Sequence, residues 1–256
     1  MEVEGERVSA SGPSLPRWTG SFVRVLQVAA LALTVAWALG PLGGVSLSPD
    51  EGPTEGSNST SRLFNWHPIL MVFGYVVCMG EALSAYAAPA LPGGATERPA
   101  RKAYHAALHS LALVAAGLGL VAALLSHSLA RPTPIPDFYS AHSAVIGFCA
   151  YVYPQASQSF RERFGFSHRF FGLFTFAVGV AAAMLGAQEK ATFLQLGAKK
   201  GVRSAAVALP ALLQPLLIAV AGAVVLRVAV ARAAASGRKE APRDERAPLF
   251  GRRGDA

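Results

Sequence analysis

The sequence predicts an all-α membrane protein of six transmembrane helices, and three observations carry that reading. The 256 residues are 52% hydrophobic and only 15% charged, where a soluble domain carries about a quarter charged residues. The mean hydropathy is +0.38. Apolar runs long enough to cross a hydrocarbon core of ~30 Å recur along the chain, separated by polar stretches rich in Pro and Gly. The net charge of +8 and the pI near 9.9 do not point to nucleic acid as a partner. In a polytopic protein, basic residues at segment ends set orientation in the bilayer. Cys78 and Cys149 both fall inside apolar runs, which argues against a disulfide framework.

Residues 1–20 are polar and contain Gly, Ser and Pro, and they are expected to form a disordered cytoplasmic N-terminus. Segment one spans about Ser21 to Leu42, with Arg24 near its start and able to snorkel. No small-residue cleavage pattern follows it, so it reads as a retained helix rather than a signal peptide. The acidic, turn-rich loop 43–62 places its side of the membrane outside, and Asn58-Ser59-Thr60 within it is a glycosylation acceptor pattern.

Segment two runs from about Trp66 to Ala88. Pro68 falls in its first turn, where a missing N–H costs little. Glu81 lies in its inner third, where a carboxylate needs a partner; Arg98 and Lys102 are the expected ones. The loop carrying Arg98, Arg101 and Lys102 is short and basic, hence cytoplasmic. Segment three, about Tyr104 to His127, returns outward into a proline-rich stretch.

Segment four begins near Phe138 and ends before Pro154. Its roughly sixteen residues give ~24 Å of helix at ~1.5 Å per residue, short of the ~30 Å core. A second basic loop follows with Arg161, Arg163 and Arg169, and then segment five, about Phe170 to Gly186. Alternation puts the next loop, 187–203, outside, although Lys190, Lys199, Lys200 and Arg203 in it run against the charge rule. Segment six, about Ser204 to Leu226, contains Pro210 and Pro215 and is expected to kink. The transmembrane domain is thus read as 21–226, followed by a disordered basic cytoplasmic tail over 227–256.

The histidines are placed regularly. His67, His105, His142 and His168 each open a segment, and consecutive segments run in opposite directions. His67 and His142 therefore share the outer level, and His105 and His168 the inner one. Two neutral imidazoles facing each other across a bundle are the usual axial ligands of a b-type haem. A zinc site would call for four ligands, or three and a water. Small residues such as Gly74, Gly117, Gly119 and Gly172 let helices or a flat macrocycle approach closely. His109, one turn beyond His105, is an alternative ligand, whereas His127 ends its segment where snorkelling alone would account for it. Trp66, Tyr139 and Tyr153 read as interface-belt aromatics.

Several motifs in one order resemble the cytochrome b561 family: NWHPILM at 65–71, GEALSAY at 80–86, KAYHAALH at 102–109 and FYSAHS ending at Ser143. FGFSHRFFGLFTF at 164–176 and LGAQEK at 185–190 continue the match. The resemblance implies six helices, the central four forming a bundle that holds two haem b. It implies that His67 and His142 bind the non-cytoplasmic haem, and His105 and His168 the cytoplasmic one. It places ascorbate at Arg101 and Lys102, with Arg98, Arg161 and Arg163 as neighbours. Ascorbate is an anion at neutral pH, which guanidinium and ammonium groups hold well.

The outer acceptor site, for monodehydroascorbate or a ferric chelate, would comprise His127, Phe138, Tyr139 and Ser140. The implied activity is ascorbate-dependent transmembrane electron transfer, in an endomembrane (vesicle, vacuole or lysosome) or the plasma membrane, with both termini cytoplasmic and homodimerisation common in the family. Ala144 stands where the family carries tryptophan, and Ala87 where it carries a basic residue. With the short segment four, these departures keep two alternatives in view: a catalytically impaired homologue, or a non-haem membrane transporter or scaffold.

Overall fold

The computed structural model describes residues 16, 18–87, 91, 92, 94, 96–132 and 158–240. Five helices in it are long and apolar enough to cross a membrane. They are α1 (Trp18–Leu39), α2 (Ser61–Ser84), α3 (Arg98–Ser128), α4 (Gln158–Leu196) and α5 (Ala205–Glu240). Outside them, regular structure among the described residues is a two-residue antiparallel ladder, β1 (Asp50–Glu51) with β2 (Asn58–Ser59). The expected segment four, with Phe138, Tyr139, Ser140 and His142, lies outside the described residues.

α2 is the hub, packing against α1, α3, α4 and α5, while α1 and α4 also pack on α5. The core is apolar, built from Val23, Trp37, Val76, Met79, Phe176, Leu217 and Val220 among others. The middle of α2 is π-helical over Val72–Met79. Widening the coil there displaces carbonyls from the α-helical ladder, and in hydrocarbon each must find a partner. Gln27 of α1, 1% exposed, supplies one: its amide donates to Val76 O at 3.0 Å. At Gly74 an added Cβ would lie 3.0 Å from Ala112 O of α3, so close helix approach requires the glycine.

Several boundaries differ from the sequence reading where a helix runs past its apolar stretch, and α4 differs most: it starts at Gln158 rather than Phe170, so Arg161, Arg163 and Arg169 stand on a helix rather than in a loop. α3 starts at Arg98, so Arg98, Arg101 and Lys102 stand on its first turns rather than in a loop. α2 starts at Ser61, five residues before Trp66. α4 continues beyond Gly186 to Leu196, which moves Lys190 from the expected loop onto a helix and leaves only 197–204 to connect it to α5. α5 continues to Glu240 through the Ala-rich VAVARAAA stretch, and Arg227, read as the start of a tail, is 5% exposed within it.

Candidate functional site

The two ends of the bundle are called inner and outer after the charge bias of the sequence. α2 and α3 run antiparallel and anchor each other's histidines reciprocally. His67 of α2 contacts Gly119 O of α3 through Nδ1 at 2.9 Å. His105 of α3 contacts Ala82 O of α2 through Nδ1 at 2.9 Å. A carbonyl oxygen only accepts, so each Nδ1 carries a proton, and in the neutral ring the lone pair is then on Nε2. That tautomer is the one a metal-binding imidazole needs, with the ring orientation set by the backbone bond. Gly119 permits the outer bond, since a Cβ there would sit 3.2 Å from Leu70 Cβ. Measured along α3 from residue 105 to 119, the levels are about 21 Å apart at ~1.5 Å per residue, which fits inside one bilayer.

At the inner level three imidazoles converge. The His168 ring of α4 is 6.2 Å from that of His105, centroid to centroid, and His109 is 4.4 Å from it. Metal–nitrogen bonds of ~2.0–2.1 Å on opposite sides of one ion place imidazole centroids about 6 Å apart. The His105–His168 spacing matches that distance, and the His105–His109 spacing is too short for it. Tyr86 packs edge-on against His105 at 5.5 Å. No group of three or more His, Cys, Asp or Glu side chains forms a metal cluster among the described residues. His105 and His168 would be the residues to hold a group ligated by two imidazoles.

At the outer level Phe64 is the organising ring. It lies 5.3 Å from His67 and stacks at 10° on His127, 6.0 Å away. Lys190 Nζ sits over the Phe64 ring, 5.4 Å from its centroid. His142, expected opposite His67, lies outside the described residues.

Of the expected ascorbate cluster, Arg101 donates to Ala85 O at 2.7 Å and to Thr96 O at 3.1 Å, tying the end of α2 to the start of α3. Arg98 and Lys102 are exposed beside it. Arg161 and Arg163 lie on the first turns of α4.

Glu81 does not pair with Arg98 or Lys102. Its partner is Arg24 of α1, whose Nε donates to Oε1 at 3.0 Å and whose second guanidinium nitrogen donates to the same oxygen. Tyr104 adds a third donor at 3.2 Å. Arg24 therefore turns inward rather than snorkelling. Close by on the same end, Arg227 donates to Thr19 Oγ1 at 3.0 Å. The sequence signal for this network was available in depth alone: Arg24 and Glu81 stand at matching distances from the inner ends of antiparallel segments.

A multi-pass helical membrane protein with carbonyl-anchored imidazoles at two depths has the layout of a transmembrane cytochrome. The chain belongs to the eukaryotic cytochrome b561 family, a haem b family whose model matches residues 66–194. It is 33% identical over 241 residues to the transmembrane ascorbate-dependent reductase CYB561 of Sus scrofa, covering 89% of this chain and 87% of that one. It is 32% identical over 183 residues to ascorbate-specific transmembrane electron transporter 1 of Zea mays, covering 66% and 71%. Transmembrane ascorbate ferrireductase 1 of Arabidopsis thaliana is 30% identical over 185 residues, covering 67% and 71%.

Proposed function

We propose that this protein passes electrons across its membrane from cytoplasmic ascorbate, through two b haems, to monodehydroascorbate or a ferric chelate on the other side. The observation that carries the reading is the reciprocal pair of Nδ1–H bonds, His67 to Gly119 O and His105 to Ala82 O. It orients two imidazoles at two depths on one helix pair, which supports reading both as ligands. His105 and His168 are the inner ligand pair and His67 and His142 the outer pair, with His109 the alternative inner ligand. The names of the relatives, which are ascorbate-dependent reductases and electron transporters, support the donor.

The same geometry supports a reading of six spans. α3 and α4 both begin at the level where His105 meets His168, whereas α3 ends beside Phe64 at the other level. The proposed sixth span, the expected segment four, would join these two levels and bring both termini to the cytoplasmic side.

When bound, haem supplies reversible one-electron chemistry. The chain's residues do the rest. Gly119 and Ala82 carbonyls hold the protons on Nδ1 and aim Nε2. Arg98, Arg101, Lys102, Arg161 and Arg163 concentrate the ascorbate anion at the inner mouth, with Arg101 also bracing α2 against α3. Apolar packing around Val76, Met79 and Phe176 excludes water between the levels. His127, Phe138, Tyr139 and Ser140 form the acceptor face.

The test is an absorption spectrum of protein purified from haem-supplied cells. Two b haems per chain, reduced within seconds to minutes of adding ascorbate, are expected. A haem-loaded preparation whose spectrum ascorbate leaves unchanged would overturn the donor, and protein that takes up no haem from haem-supplied cells would overturn the reading.

A further inference from the structure

Lys190 is one of the four cations that run against the charge rule, and its place in the structure gives it a task. α4 carries it past the expected end of segment five to the start of α2. There Nζ lies over Phe64, 5.4 Å from the ring centroid. On that ring also rest His67, at 5.3 Å, and His127, stacked at 6.0 Å. The ammonium is partly buried and has no carboxylate partner among the described residues, where the ion pairs are Arg24–Glu81 and Arg62–Asp50. Desolvating a lysine without an acid is costly. A cation–π contact recovers only part of that cost, so an anion would be held there in preference to water.

We infer that Lys190 is the specificity-determining residue of the outer end, selecting a small anionic one-electron acceptor and holding it against the Phe64–His127 plate beside the haem ligand His67. This inference rests on the transmembrane electron-transfer reading. An acceptor that takes one electron there, from the haem that His67 would hold, also gains one unit of negative charge. The ammonium therefore favours the product side as well as the encounter, which is how fixed charge accelerates a step rather than merely tightening binding. Phe64 sets the distance: a flat ring against both the ammonium and the imidazoles keeps the anion at the haem edge instead of in bulk water.

The experiment uses the haem-loaded full chain in vesicles sorted for one orientation, reduced with dithionite and freed of excess reductant. Reoxidation is followed at the haem band after adding ferricyanide, an anion, or a cobalt tris(phenanthroline) cation to the outer face. Lys190→Met is expected to slow ferricyanide at least tenfold and flatten its salt dependence, while the cationic oxidant is unaffected or faster. Hexacyanocobaltate, a redox-inert anion of the same shape, should compete in the parent and not in Lys190→Met. Lys190→Arg should restore most of the rate.

Unchanged ferricyanide kinetics would overturn the inference. Equal slowing of both oxidants would also overturn it, by marking Lys190 as a packing residue. If ascorbate fails to reduce the haem but the charge-selective loss persists, the donor half of the function fails and Lys190 keeps its role. A chain without haem removes both.

Discussion

At the inner end His105 shares its level with two further imidazoles and with the ion pair of Arg24 and Glu81; at the outer end His67 meets the ring of Phe64, over which the Lys190 ammonium sits. Both are anchored by the same Nδ1–H bond to a carbonyl of the opposite helix. The difference teaches what each part controls. Anchoring depends on how closely α2 and α3 approach, and so on Ala82, Gly119 and Gly74. The surroundings depend on α1, α4 and α5, which reach the two ends with different chemistry: hydrogen-bonded and charge-balanced inside, aromatic and cationic outside.

The most severe way to break the comparison is to remove one anchor at a time. His105→Ala and His67→Ala should each cost one of the two proposed haems, counted per chain by pyridine haemochrome, and each should leave the spectrum of the remaining one. His109→Ala should keep both, because its 4.4 Å spacing from His105 is too short for a trans pair. Loss of both haems in either anchor variant would mean that the levels fold as one cooperative unit. Retention of two haems in His105→Ala would transfer the ligand role to His109.

Next in size is the inner ion pair. Glu81→Leu strands Arg24 and the Tyr104 hydroxyl. Breaking a fully buried pair costs about 3–5 kcal/mol, but the Arg24 side chain is 38% exposed and Glu81 12%. About 2–3 kcal/mol is therefore expected, read as earlier thermal unfolding in lipid nanodiscs. Arg24→Leu combined with Glu81→Leu should recover part of it, since two apolar groups leave no stranded charge. Equal instability in the double variant would show that shape, not charge, holds α1 to α2.

How much of this was readable beforehand follows the same division. Segments one, two, three, five and six were legible from hydropathy because lipid forces uniform apolarity over each span. His67 and His105 were legible from their regular placement at segment starts. The ends of α3 and α4 were not, because Arg98–Lys102 and the Gln188–Leu196 stretch are polar yet helix-favouring, and hydropathy reports the solvent rather than the backbone. Glu81's partner was missed because proximity in sequence favoured Arg98, whereas helix packing brings Arg24 from 57 residues away. The π-helical centre of α2 leaves no composition signature; only Gln27, a lone amide in an apolar run, hinted that a carbonyl there would need it.

The mildest contrast concerns the outer cap. Asn58 begins a glycosylation pattern, but its amide donates to Leu129 O at 2.8 Å and its carbonyl accepts from the Arg131 N–H at 2.9 Å. Both ends of the side chain thus tie β2 to the C-terminal end of α3. A glycan on Nδ2 would have to open the first bond and crowd the second, so glycosidase treatment should leave the protein's mobility on a gel unchanged. Asn58→Ala removes two solvent-accessible bonds of ~0.5–1.5 kcal/mol each, and because water replaces both partners the expected loss is about 1 kcal/mol. His67 is held by Gly119, nine residues before the end of α3, so outer haem content should be unaffected. If Asn58→Ala lost that haem, the cap rather than the α2–α3 contact would be what positions His67, and the shared anchoring of the two levels would fail at its outer half.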